Sequence, residues 1–364
     1  MADVITSEYR LATETGLKEF VATILRKVGV TPGDAAIVAD VLVAADLRGI
    51  ESHGVARLET YYVSRIRAGQ LDPTPKVTTA RETATSILVD AGNGLGHPTG
   101  KRTMEAVLAK AEQTGAAFGA VRNSNHYGIA GYYAMLALDR NIIGIASTNS
   151  TRFGAPTFGR DLMLGTNPLA FAIPAKHEPA FVLDFATTTV PKGKLEVYNR
   201  KGKQLNPGWA IDANGNQTLD PQVALKGALL PLGGFGTASG GHKGFGLGLM
   251  CEILCGVLAG AAFGPELSIS DATSGGGHVG HFFGALRIDA MRDLADFKAD
   301  MDRELRAFRT SAPLPGHDRV QVAGDPEREN ERVNRRDGVP HLPKVWEVVD
   351  SLATDLKIKP MQRC

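Results

Sequence analysis

Apolar residues recur at helical spacing through the first part of the chain: Leu17, Phe20, Val21, Ile24 and Leu25, then Ala36, Ile37, Val41 and Leu42. Steps of three and four put these side chains on one face, so the pattern predicts helices over 15–30 and 33–48. Pro32 suits the first turn of the second helix, where its missing N–H costs nothing, and Gly49 closes it. A third helix is expected over 55–68, stopped by Gly69. The break Asp72-Pro73-Thr74-Pro75 ends this helical beginning.

Beyond the break the period shortens. Segments 85–91, 119–122, 142–147, 170–173 and 180–184 read as strands, with helices over 99–114 and 131–140 separating the first three. Such alternation predicts an α/β layer architecture. A glycine-rich apolar helix over 243–262 follows, and Glu252 within it favours burial in protein over a membrane span. A strand over 281–288 comes next. From Met291 the chain is helical with charges of both signs, as on a solvated face, and a last helix covers 345–356.

Composition removes several function classes. The 364 residues carry 40 Lys+Arg against 39 Asp+Glu, and a net charge of +1 excludes the broad basic field of a nucleic-acid binder. Three cysteines cannot build a disulfide framework, and residues 1–19 lack the basic and apolar regions of a secretory signal. A cytoplasmic protein without a membrane segment is expected. Of 42 glycines, 17 fall between Gly227 and Gly284, which invites a nucleotide-loop reading. The spacings reject it. A Walker loop ending at Lys101 needs glycine at 95 and a hydroxyl residue at 102, where the chain has Leu95 and Arg102. A dinucleotide fingerprint from Gly94 and Gly96 needs glycine at 99, which is Thr99.

Candidate chemistry remains in three places. In Ser52-His53-Gly54-Val55-Ala56-Arg57, Ser52 is a candidate N-cap, and His53 and Arg57 are one helical turn apart. Helix amides and a guanidinium suit a carboxylate, and an imidazole beside them moves protons near neutral pH. The plain alternative is a capped surface helix. Asn123-Ser124-Asn125-His126-Tyr127-Gly128 follows a strand, where α/β folds place sites, although a cap with a loop histidine reads equally well. Lys243 and Gly244 open the glycine-rich helix and suit an anion, whereas helix packing accounts for Gly246, Gly248, Gly256 and Gly260. His278 and His281 form an HxxH pair, better read as a strand entry than as metal ligands, and no metal site is expected.

Taken in order, these segments resemble the type 2 malate/L-lactate dehydrogenase family, over about residues 10–355. The resemblance rests on Ser52-His53-Gly54-Val55-Ala56-Arg57, the stretch 121–131 and Leu164-Gly165-Thr166-Asn167-Pro168. It continues through Leu183-Asp184-Phe185-Ala186-Thr187-Thr188, Gly208-Trp209-Ala210-Ile211-Asp212, Leu230-Pro231-Leu232-Gly233-Gly234 and His242-Lys243-Gly244. It implies a non-Rossmann mixed-sheet α/β nucleotide-binding core (residues 76–289) and a helical domain from both chain ends (1–75 plus 290–364), usually as a homodimer. It further implies hydride transfer between NAD or NADP, with NAD preferred, and a small 2-hydroxy or 2-oxo acid. L-malate or L-lactate comes first, a cyclic 2-imino acid or ureidoglycolate second.

Carried over by position, His53 and His126 match histidines assigned to proton transfer in different branches, and Ser52 and Arg57 match residues near the substrate carboxylate. Cofactor contacts map to Ser150, Asp184, Phe185, Ala186, Thr187, Thr188, Lys243, Gly244, Gly324, Asp325 and Pro326. The loop before Lys243 carries an apparent insertion, Thr237-Ala238-Ser239, and the turn at Gly324 departs from the family's Pro-Gly-Glu. A non-catalytic nucleotide-binding protein is the reading from another class; the paired histidines and arginine weigh against it.

Overall fold

The computed structural model describes residues 9–200, 202–268 and 278–361. Two helices, Glu14–Lys27 and Pro32–Leu47, open the chain where the apolar spacing predicts them. Thr13 and Thr31 cap them, accepting the backbone N–H of Gly16 and Asp34. Their buried faces meet Trp346, Val349, Leu352 and Ala353 of helix Pro343–Asp355 in one apolar cluster. The ends are stitched further by antiparallel pairing of Arg10–Ala12 with Val339–His341, and by Trp346 Nε1 donating to Arg10 O at 3.2 Å. Truncating a fully buried tryptophan of this kind costs about 3–5 kcal/mol.

The expected third helix is broken. Two 3₁₀ turns, Glu51–His53 and Val55–Arg57, lead into a π-helical turn, Leu58–Val63, and one α-helical turn, Ser64–Arg67. Gly54 at the break has φ −92° and ψ −151°, an extended conformation that interrupts any helix.

A mixed seven-stranded sheet forms the centre. Its spatial order is Thr78–Glu82, Ser86–Asp90, Ala116–Ser124, Val279–Arg287, Ile142–Thr148, Leu169–Ile173, Phe181–Phe185. Ser86–Asp90 and Ala116–Ser124 run parallel, joined across helix Gly96–Thr114 as a crossover requires; the other neighbours are antiparallel. Thr78–Glu82, which the pattern did not predict, is exposed throughout and pairs along the sheet edge with a bulge. The strand Val279–Arg287 sits between partners that precede it by more than a hundred residues, after the chain has left the sheet and returned.

Helix Gly241–Glu252 continues as a π turn, Ile253–Val257. Burial throughout was expected, yet only one face is covered, by way of Gly244, Gly248, Cys251, Glu252, Cys255 and Gly256. The opposite face exposes Leu249, Met250, Ile253, Val257 and Leu258. Among the described residues no helix is long and apolar enough to cross a membrane.

Candidate active site

Gly54 and Asp46 shape the first wall of the site. A Cβ on Gly54 would lie 1.7 Å from Asp46 Oδ1, so the absent side chain lets the buried carboxylate lie against the turn. Asp46 Oδ2 accepts Val55 N–H at 2.9 Å and meets His341 Nε2 at 3.1 Å. The capping expected of Ser52 is thus performed by Asp46. Ser52 Oγ instead pairs with His53 Nδ1 at 2.9 Å. Arg57 folds back on the same turn: Nε donates to Ser52 O at 2.5 Å, and the guanidinium lies 4.9 Å from the Tyr61 ring centroid. Ser52, His53 and Arg57 therefore come together, through two 3₁₀ turns and not one helix face.

His126 arrives from the other side, just past the end of strand Ala116–Ser124. Its ring stacks on that of His53, with centroids 5.5 Å apart and planes inclined by 21°. Burial holds His53 down to about 4, with Arg57 adding to the effect. His126 is pushed well below the usual imidazole range, first by burial and then by His53, His97 and Arg57. Both rings are therefore neutral at pH 7. They border one cleft together with Asn149, Ser150, Thr166 and Arg65.

Arg65 escaped the sequence reading. It is buried, and its Nη2 donates to Asn125 Oδ1 at 3.0 Å. The available signal was its spacing of eight from Arg57, which a helix would have kept near one face.

The other expected contacts divide. Asp184, Gly324 and Pro326 border a second cavity of about 290 Å³, with Arg48 and Gly131. Asp184 accepts Gly131 N–H at 2.7 Å; burial raises its carboxyl to about 6 against that hydrogen bond. Asp325 is engaged elsewhere, in ion pairs with Arg309 at 2.7 Å and Arg328 at 3.0 Å. Phe185 and Ala186 are half-buried at the end of the last sheet strand. Thr187 and Thr188 are buried and donate their hydroxyls to backbone carbonyls, Thr187 to Thr166 and Asn167, Thr188 to Val190.

Lys243 is exposed in the first turn of its helix and borders neither cavity. Gly244 has a packing reason, since a Cβ there would sit 2.1 Å from Leu232 O. Gly246, expected to pack, has open space around it. The HxxH pair does not assemble: His281 is buried in its strand with both ring nitrogens engaged, by Thr148 Oγ1 and Ser124 Oγ, each at 2.8 Å.

Residues 13–350 match the family described as malate/L-lactate dehydrogenase. The chain is 42% identical to a malate dehydrogenase of Pyrococcus horikoshii over 350 residues, 96% of each protein. It is 35% identical to an L-sulfolactate dehydrogenase of Methanocaldococcus jannaschii, over 88% of this chain and 90% of the relative. The crystal structure of a malate dehydrogenase from Entamoeba histolytica superposes with a TM-score of 0.93 at 38% identity, over 96% of this chain and 99% of that one.

Proposed function

The chain belongs to the malate/L-lactate dehydrogenase family, and on that footing we propose that it interconverts L-malate and its 2-oxo acid, with L-lactate as the second substrate. The enzyme is a nicotinamide-dependent oxidoreductase of small 2-hydroxy acids. The observation that carries the substrate reading is the pair of stacked neutral histidines with a buried arginine, Arg65, in the wall of their cleft, and with Arg57 on an adjoining cavity that Ser52 also lines.

The roles follow from charge and position. Arg57, braced by Ser52 O and the Tyr61 ring, holds the carboxylate on C1. Ser52 keeps His53 oriented through its Nδ1, and His53 accepts the C2 hydroxyl proton during oxidation and returns it during reduction. His126 faces the same oxygen. Arg65 supplies the positive field that a second carboxylate requires, which favours malate over lactate.

The residues fit a nicotinamide dinucleotide. Gly131 leaves the second cavity with bare backbone beside Asp184, where a Cβ would stand 2.9 Å from the carboxylate, and that carboxylate suits ribose hydroxyls. Ser150 and Thr166 offer the histidine cleft hydroxyl groups suited to a carboxamide. When bound, the nicotinamide ring accepts or donates the hydride at C2. Asp184 would oppose a 2′-phosphate, which supports NAD over NADP.

The exposed apolar face at Leu249, Met250, Ile253, Val257 and Leu258 supports a homodimer, with a second copy covering it. Free thiols at Cys251 and Cys255 accord with a cytoplasmic setting. The test is a panel of L-malate, L-lactate, sulfolactate, ureidoglycolate and Δ1-piperideine-2-carboxylate or their oxidised or reduced partners, each with both cofactors. Malate with NAD should give the highest kcat/KM. Turnover confined to the cyclic imino acid would overturn the assignment.

A further inference from the structure

Behind His126 lies a chain of buried groups that the roles above do not use. Tyr62, fully buried, has Oη 2.6 Å from His126 Nδ1 and 3.2 Å from His97 Nε2. The backbone N–H of Gly128 points at the same His126 Nδ1, at 3.4 Å. An amide N–H only donates, so Nδ1 carries the lone pair and the ring proton resides on Nε2. The far end of the chain leaves one ring nitrogen unpaired whichever way the chain runs. His97 is fully buried, and its Nδ1 has no partner among the described residues. Were the chain reversed, with His126 Nδ1–H donating to Tyr62 and Tyr62 to His97 Nε2, His97 would bear its proton on Nδ1. That would leave a buried N–H donor without an acceptor, where the forward order leaves a bare lone pair, so the amide of Gly128 decides the direction. The surviving order is His97 Nε2–H to Tyr62 Oη, and Tyr62 O–H to His126 Nδ1.

The π-helical turn Leu58–Val63 carries Tyr62 into this place, as such turns often do at functional sites.

We propose that Tyr62 is a positioning residue which, with His97 and Gly128, locks His126 as the Nε2–H tautomer, so that His126 meets the substrate oxygen as a hydrogen-bond donor. The inference rests on the proposed dehydrogenase reading for its kinetic consequence, and on geometry alone for the tautomer. It divides the labour between the two stacked rings. His53 takes the hydroxyl proton, while His126 stabilises negative charge on the same oxygen as the C2 hydride leaves, a task suited to a neutral imidazole. No proton needs to travel through Tyr62.

The test is nitrogen NMR of the full chain labelled with [15N]histidine, with His126 assigned by its loss in His126→Gln. Wild type should show His126 with an unprotonated Nδ1 and a protonated Nε2, without any substrate present. In Tyr62→Phe the Nδ1–H form should gain population, with kcat falling about tenfold and KM for the hydroxy acid changing less than about threefold. A wild-type His126 protonated on Nδ1 overturns the proposal, whether or not the variant folds. So does a Tyr62→Phe enzyme whose kcat stays within about twofold. Absence of 2-hydroxyacid turnover with the Nε2–H signature present would instead sink the functional reading and leave the lock standing.

Discussion

His53 and His126 lie face to face, ring centroids 5.5 Å apart, in a cleft that keeps both imidazoles uncharged at neutral pH. A proton placed on either ring is felt by the other. His126 already carries His53 among the causes of its depressed pKa. The pair is therefore built to hold at most one transient charge, which suits a step that moves one proton.

Replacing His53 with alanine should lower kcat for hydroxy-acid oxidation by about 10²–10⁴-fold, the usual contribution of a general base. His126→Ala should cost less. Because His53 titrates at about 4, kcat/KM attributable to it should stay level above pH 6 and fall only as the pH approaches 4. Steady-state kinetics of both variants decides the order: near wild-type kcat in His53→Ala, with activity abolished in His126→Ala, would reverse the roles.

Arg57→Ala should reduce kcat/KM strongly for malate and lactate alike, since both present a C1 carboxylate. An effect below about threefold, under roughly 0.7 kcal/mol, would remove Arg57 from carboxylate binding. Arg65→Met should separate the two substrates, losing at least about fivefold more for malate than for lactate in the same assay. Equal losses would show that Arg65 has no part in choosing the dicarboxylate.

Stability should peak near pH 6.5, for two opposite reasons. Burial disfavours a charge on His341, but Asp46 beside it more than compensates and keeps its pKa above the ordinary value. That contribution is complete below the unfolded value of 6.5 and disappears as the pH rises through the folded one. His97 and His281, held near 3 by burial, act the other way: their contribution is complete above 6.5 and declines as the pH falls toward 3. Melting temperatures from pH 4 to 9 should show both limbs, and His341→Gln should flatten the alkaline one. An unchanged alkaline limb in that variant would place its cause elsewhere.

Ile253 and Leu258 are 47% and 60% exposed on the apolar face of the glycine-rich helix. Ile253→Asp and Leu258→Asp together should convert a dimer to a monomer in light scattering without loss of helical signal. A dimer that survives both changes would have its interface on another surface.

Much of this molecule could be read from residue order, for identifiable reasons. The first two helices carry their own caps and apolar stripes, so local chemistry suffices to locate them. The strands of the sheet interior appear as apolar runs because they are covered. Thr78–Glu82 could not be seen, since it is exposed throughout and owes its shape to its neighbour. The broken third helix was hidden for a similar reason. Gly54 reads as a helix residue until the carboxylate of Asp46 is brought against it from the preceding helix. Tyr62 and Arg65 were passed over because a π turn sets their direction, and their partners lie in separate segments at Asn125 and His126.

The strand Val279–Arg287 completes the sheet from the inside. On a ribosome, residues 86–124 and 142–185 emerge long before it, and each group presents the strand edge that it will later cover. A nascent chain that stops short of Val279 carries two open strand edges, at Ala116–Ser124 and Ile142–Thr148, which this strand covers in the finished enzyme. The sheet is thus a lock whose key is cut last, and a ribosome stalling within the long excursion would release a fragment with two surfaces ready to recruit foreign strands.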